Sequence, residues 1–180
     1  MPGVLSAAMM GFYGKLPSRG DFVGGGLSRG FVDGWERWIA GVLPLAQKRL
    51  GDEWNAAWLA APAWRFTLPG GMLGPRPALG LCLPSVDRVG RCFPLVCAAE
   101  GLHADDDCLD AAEAAGRDAL EHGRSPEELW QRLRNLPACA TRGQSEGARW
   151  WTKGGPYVPK QELRLPHLPD AASFLAMVRA

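Results

Sequence analysis

The chain has 180 residues, a net charge of +1, 47% hydrophobic residues and 22% charged ones. A single domain of this length buries roughly 70% of the surface its unfolded chain exposes, so it folds without staples. The charge balance excludes a dedicated nucleic-acid binder, whose basic face would carry the pI above about 9, and no run reaches the ~18 apolar residues of a membrane helix.

The five cysteines, Cys82, Cys92, Cys97, Cys108 and Cys139, are odd in number and form no C-x-x-C pair. Met1 to Met10 lack the basic start of a signal peptide. Reduced thiols and a cytoplasmic location are therefore expected. Residues 1–10 read as a flexible N-terminus and residues 11–180 as one domain.

In chain order, Gly11–Leu16 reads as a first strand stopped by Pro17. The triple glycine Gly24–Gly26 reads as a loop with unusual dihedrals. Ser28 caps a predicted helix whose Phe31, Trp35, Trp38, Ile39 and Val42 share one stripe. Pro44 should kink or restart it near Gly41, and Gly51 should end it. Asp52 is expected to cap a second helix carrying Trp54 and Trp58. Trp64–Leu68 alternates as a half-buried strand does; Leu79–Leu83 and Phe93–Ala99 follow as strands on short connections, which favours antiparallel pairing.

Asp105, Asp106 and Asp107 suit a helix start and lead an alanine-rich helix to about Glu121. Ser125-Pro126-Glu127-Glu128 is a full helix-start signal. Ala148–Thr152 and Glu162–Leu165 read as two further strands, and Asp170 caps a last helix. The predicted class is α+β: a mainly antiparallel sheet of five or six strands packed by about five helices.

The chemistry-bearing patterns are sparse. The glycine-rich loop fits neither phosphate-binding fingerprint. The three histidines are scattered, and Cys92 and Cys97 fall on opposite strand faces, so no metal site is expected. No G-x-S-x-G surrounds Ser85. Trp150 and Trp151 point to opposite sides of their strand, so one of them is a candidate interface anchor if it is exposed. Asp87, Arg88 and Arg91 crowd into one Pro-bounded turn. They either form an internal clasp, with Arg forking onto Asp, or a polar platform for a partner's acid or phosphate. Asp87 and Arg88 are the expected clasp and Arg91 the expected contact.

Gly11-Phe12-Tyr13-Gly14-Lys15-Leu16-Pro17-Ser18-Arg19-Gly20-Asp21-Phe22, followed by Trp35 and Trp38, resembles the opening of the TagF (ImpM) family of type VI secretion-associated proteins. Pro62–Phe66, the block Pro84–Leu95 and Trp150-Trp151-Thr152 resemble its later motifs in the same order. Gly24–Gly26 and Cys92 depart from the family pattern, and Leu102–Gln144 carries none of its motifs. The resemblance implies a cytoplasmic accessory protein of a bacterial contractile secretion machine. It further implies a post-translational repressor of assembly that binds the forkhead-associated scaffold protein or another component of the apparatus. No catalytic residue, cofactor, nucleic acid or membrane insertion is implied. Arg19, Asp21, Asp87, Arg88, Arg91, Trp150 and Trp151 are the candidate interaction or structural residues. The alternatives are a hydrolase or phosphoryl-transfer enzyme using Asp87, Arg88 and Arg91, and a small-ligand sensor beside the glycine-rich loop.

Overall fold

The computed structural model describes residues 9–101, 106–137 and 146–180. Asp105 and Cys139 lie outside them, as does most of the predicted N-terminal tail. Met10, at the end of that tail, is buried in the core.

The described residues form seven strands: β1 (Gly11–Gly14), β2 (Val23–Gly25), β3 (Trp64–Leu68), β4 (Ala78–Leu83), β5 (Leu95–Glu100), β6 (Ala148–Thr152) and β7 (Gln161–Leu165). They make one sheet in the order β2-β1-β5-β4-β3-β6-β7, with every neighbouring pair antiparallel. The helices are α1 (Arg29–Leu50), α2 (Trp54–Ala60), α3 (Asp106–Glu121), α4 (Pro126–Arg134) and α5 (Ala171–Val178). The α+β class stands, with one or two strands more than expected.

Side-chain alternation along the strands feeds two cores. Tyr13, Trp64, Phe66, Val96, Ala98 and Trp150 face α1, α2 and α5. Phe12, Leu79, Leu81, Leu83, Leu95 and Cys97 face α3 and α4. The alanines of α3 let it lie close to the second face. A Cβ added at Gly116 would come within 2.7 Å of the Leu83 side chain.

Three helix starts are where the sequence promised them. The Ser28 hydroxyl accepts from the Phe31 amide and caps α1. The Ser125–Glu128 capping box is complete on α4, and Asp170 caps α5 through the Ser173 amide.

Several expectations fail for identifiable reasons. The triple glycine is no free loop. Gly24 and Gly25 belong to β2 and pair with Tyr13 and Phe12 of β1. A Cβ on Gly25 would come within 3.3 Å of the Trp130 ring, and one on Gly26 within 2.2 Å. Close approach of an aromatic ring, not flexibility, requires these glycines. α1 does not restart near Gly41; it runs as one element through Pro44. Asp52 caps nothing, because a 3-10 turn, Gly51–Glu53, feeds straight into α2. β3 is buried on both faces: its polar alternation reports a second covered face, where Arg65 pairs with α3, and not solvent. The thiols are not all free: Cys82, Cys92 and Cys97 are, but Cys108 is disulfide-bonded. Disulfide pairing depends on tertiary proximity, which short-range spacing does not encode.

Candidate functional site

The site is a seam between two loops at one end of the sheet. The first leaves β1 and runs from Lys15 to Phe22. The second links β4 to β5 from Pro84 to Pro94. Within the second, Val86 and Cys92 form a β-bridge, and Gly90 turns the chain with φ +88°, a conformation that favours glycine.

Asp87 sits at the centre of the seam, 1% exposed. Its Oδ1 accepts the amides of Val89 (3.0 Å) and Arg91 (2.9 Å), and its Oδ2 accepts the Arg91 guanidinium Nε at 2.6 Å. The Lys15 ammonium lies 3.2 Å from the same Oδ2. Burial alone would raise the Asp87 pKa. These donors outweigh it and hold the carboxyl well below the usual carboxylate range.

The loops are stitched further by backbone. The Arg88 amide donates to the Arg19 carbonyl at 2.8 Å, and the Arg88 and Arg91 guanidiniums reach the carbonyls of Ser18 and Gly20, each at 2.8 Å. The Ser85 hydroxyl, itself buried, donates to the Lys15 carbonyl at 2.7 Å. Arg19 meets Glu127 at the start of α4, while the Ser18 hydroxyl donates to the Arg124 carbonyl.

The expected clasp therefore changes partner. Arg91, not Arg88, closes on Asp87. A residue adjacent to Asp87 points away from its carboxylate, whereas the turn at Gly90 folds the residue four positions on back towards it. Arg91 is not free for a contact as expected, yet its side chain remains 63% exposed along its length.

An aromatic step lies beside the clasp. Phe22 stacks on Tyr13 (centroids 5.7 Å, planes 5° apart) and meets the Phe93 ring edge-on at 4.8 Å. The Lys15 ammonium stands 5.2 Å from its centroid. The Tyr13 hydroxyl donates to Glu36 of α1. Burial first, then that bond and the charges of Glu36 and Asp33, push the Tyr13 pKa above the ordinary phenol range.

Phe22 and Val89 remain 47% and 72% exposed, and Asp21, Arg88 and Arg91 are exposed around them. Phe22 on the first loop and Val89 on the second are thus exposed apolar groups, Arg88 and Arg91 are exposed on that second loop, and the buried Lys15–Asp87 pair joins the two loops. Lys15, Phe22 and Val89 carry this arrangement but were not singled out from the sequence. Their signal lay in an exposed aromatic and an exposed valine within the two polar family blocks.

Trp150 and Trp151 do not join this site, because three strands, β5, β4 and β3, separate β6 from β1. Trp150 is fully buried. Trp151 is half-buried on the opposite face, with the Arg149 guanidinium 4.1 Å above its ring.

Two cavities among the described residues leave the Lys15–Asp87–Arg91 clasp untouched, although the first reaches Pro84 and Pro94 at the ends of the second loop. One, of about 30 Å³, is apolar and lies among Trp38, Trp58, Trp64, Cys82 and Phe174; it has room for about one water. An open cleft of about 440 Å³ lies between Asp118, Arg124, Glu128 and Arg132, whose charges are paired with one another. Neither is lined by Gly20–Gly26. Among the described residues, no group of His, Cys, Asp and Glu could hold a metal ion, and no helix is long and apolar enough to cross a membrane.

Residues 11–136, which contain both loops of the seam, match the family model of the TagF N-terminal domain, type VI secretion system-associated. The chain belongs to the TagF family. A similar solved structure is that of PA0076 from Pseudomonas aeruginosa PAO1, 30% identical over 94% of each chain with a TM-score of 0.85. The TagF model ends at residue 136, just past α4, so β6, β7 and α5 lie beyond it. No curated protein matches the chain significantly.

Proposed function

We propose that this TagF-family chain is a cytoplasmic, non-catalytic regulator that restrains assembly of the type VI secretion system by binding one of its components. The forkhead-associated scaffold protein is the expected partner. Family membership supplies the secretion context. The observation that carries the binding role is the exposure of Phe22, Val89, Arg88 and Arg91 on two loops that the buried Asp87 holds together.

The geometry speaks for a contact surface on two grounds. Asp87 has both oxygens occupied by fixed donors, so its carboxylate serves the loop and offers no free base to a substrate. The exposed groups include an aromatic ring and two arginines, residue types enriched at protein interfaces. Pinning both loops to one ionic centre also lowers the ordering cost of binding.

The test is co-precipitation of the tagged chain from a type VI-secreting bacterium, comparing wild type with Val89→Asp and Phe22→Ala. Wild type should recover a component of the apparatus. Val89→Asp, which places a carboxylate at the exposed apolar position of the second loop, should lose it at an unchanged melting temperature. Recovery of no apparatus component by wild type would falsify the reading. Equal recovery by wild type and both variants would place the contact elsewhere on the chain.

A further inference from the structure

β7 ends the sheet. Its inner side pairs with β6 from Ala148↔Leu165 to Thr152↔Gln161, and its outer side has no backbone partner among the described residues. An edge strand is a template for another chain, and proteins commonly guard it. The opposite edge, β2, is guarded: it is three residues long, and the Trp130 ring packs on its glycines. β7 is five residues long, is bounded by Pro159 and Pro166, and carries one charge of each sign, Glu162 and Arg164, on its own length.

Its sequence, Gln161-Glu162-Leu163-Arg164-Leu165, is complementary to itself. With a two-fold axis through Leu163, antiparallel pairing sets Glu162 opposite Arg164 of the partner subunit, and the partner's Glu162 opposite Arg164. Leu163 then meets its own copy and Gln161 meets the partner's Leu165. Because paired residues in an antiparallel ladder share a face, both apolar faces stay on the α1–α5 side.

Moving the axis to residue 162 would set Glu against Glu. Moving it to residue 164 would set Arg against Arg. Charge thus selects one register. Within the chain, Arg164 stands directly opposite Arg149, a like-charge pair, and both lean on the same Glu162 at 2.9 Å. A second copy supplies the acid that Arg164 lacks across the strand.

We infer that β7 is a self-association edge, through which two copies of this chain pair antiparallel about Leu163 into one continuous sheet. The contact is isologous, and the proline stops and the guarded β2 edge end it at the dimer. A five-residue ladder covers less than the ~1,000 Å² of a stable interface, so the dimer is weak and concentration-dependent. This inference is independent of the docking surface, which lies at the β1 end of the sheet.

Sedimentation equilibrium from about 10 µM to about 1 mM tests it, at low salt and at about 0.5 M salt. Wild type should pass from monomer to dimer with concentration and dissociate with salt. E162R alone and R164E alone should stay monomeric, because each makes every cross-axis charge pair repulsive. An equimolar mixture of the two should regain a heterodimer, which also proves that both variants are folded. Three results overturn the inference: a monomeric wild type throughout, single variants that dimerise as wild type does, or variants folded by circular dichroism whose mixture stays monomeric.

Discussion

The Lys15 ammonium at the exit of β1 stands 3.2 Å from the Asp87 carboxylate in the β4–β5 loop, the two side chains 10% and 0% exposed. One buried ion pair thereby joins segments 72 residues apart, the two loops that carry the exposed Phe22 and Val89. A buried pair with all its hydrogen bonds made is worth most as geometry: removing one member leaves the other stranded.

Asp87→Ala should therefore destabilise the fold by about 3–5 kcal/mol, since it strands the Lys15 ammonium and two backbone amides. Asp87→Asn keeps the shape and one acceptor oxygen and should cost less, about 1–3 kcal/mol. Urea denaturation of the three proteins checks the order. Equal stability of wild type and Asp87→Ala would remove the ionic base from the account.

The same carboxylate imposes an acid limit. Its folded pKa lies below the unfolded value of ~3.9, so its stabilisation is complete well above that value. It is lost as pH falls below about 4 towards the folded pKa. The melting temperature of wild type should drop through this window. Asp87→Asn should start lower and fall less steeply there, although Asp110, Glu113 and Glu162, also depressed by their cationic partners, keep some slope.

Gly26→Ala combines a φ of +77° with a Cβ placed 2.2 Å from the Trp130 ring. It should cost more than about 2 kcal/mol, of which about 1 is backbone strain. Adding Trp130→Ala should relieve the clash and leave the strain, so the double variant should show clear favourable coupling in a thermal-melt cycle. Simple additivity would mean that the ring does not sit on β2.

Arg65 is 4% exposed and lies between Glu113 at 2.9 Å and Asp110 at 2.5 Å. Arg65→Ala should cost about 1–3 kcal/mol, because Glu113 loses its buried guanidinium partner but keeps Arg117 at 2.9 Å. Asp110→Ala should cost about 1 kcal/mol or less, because the Asp110 side chain is 54% exposed. Chemical denaturation of the two variants distinguishes them.

Burial pushes the Cys97 thiol up to about 12, from an ordinary value near 9. Its thiolate is correspondingly scarce at pH 8, and the sulfur is sealed from solvent. Native-state alkylation followed by mass spectrometry should leave Cys97 unmodified until the chain is unfolded in urea. Rapid labelling of the folded protein would contradict this burial.

Local rules were legible wherever one segment decides the outcome. Ser28, Ser125 and Asp170 cap helices because a cap needs only an oxygen within three residues of an amide. Phe31, Trp35, Trp38, Ile39 and Val42 lie inward because the 3.6-residue period groups them whatever they pack against. The family blocks were legible for a related reason: each is a contiguous string, and both loops of the site are drawn from such strings.

Partners across the fold were not legible. From the order of residues, Arg88 is as near to Asp87 as a neighbour can be, yet Arg91 and Lys15 hold the carboxylate. The glycines of β2 signalled flexibility until Trp130, more than a hundred residues away, turned out to pack on them. Trp150 and Trp151 were rightly placed on opposite faces, but their distance from the Asp87 loop depends on strand order, to which alternation is blind. The sequence by itself determined the α+β class, the helix starts and the polar block at Pro84–Leu95. Only the tertiary structure decided which ions in that block are buried and paired, and that Phe22 and Val89 stand exposed above them. Periodicity and capping act over a few residues, whereas ion pairing and burial depend on which distant strands and loops the closed sheet brings within a few ångströms.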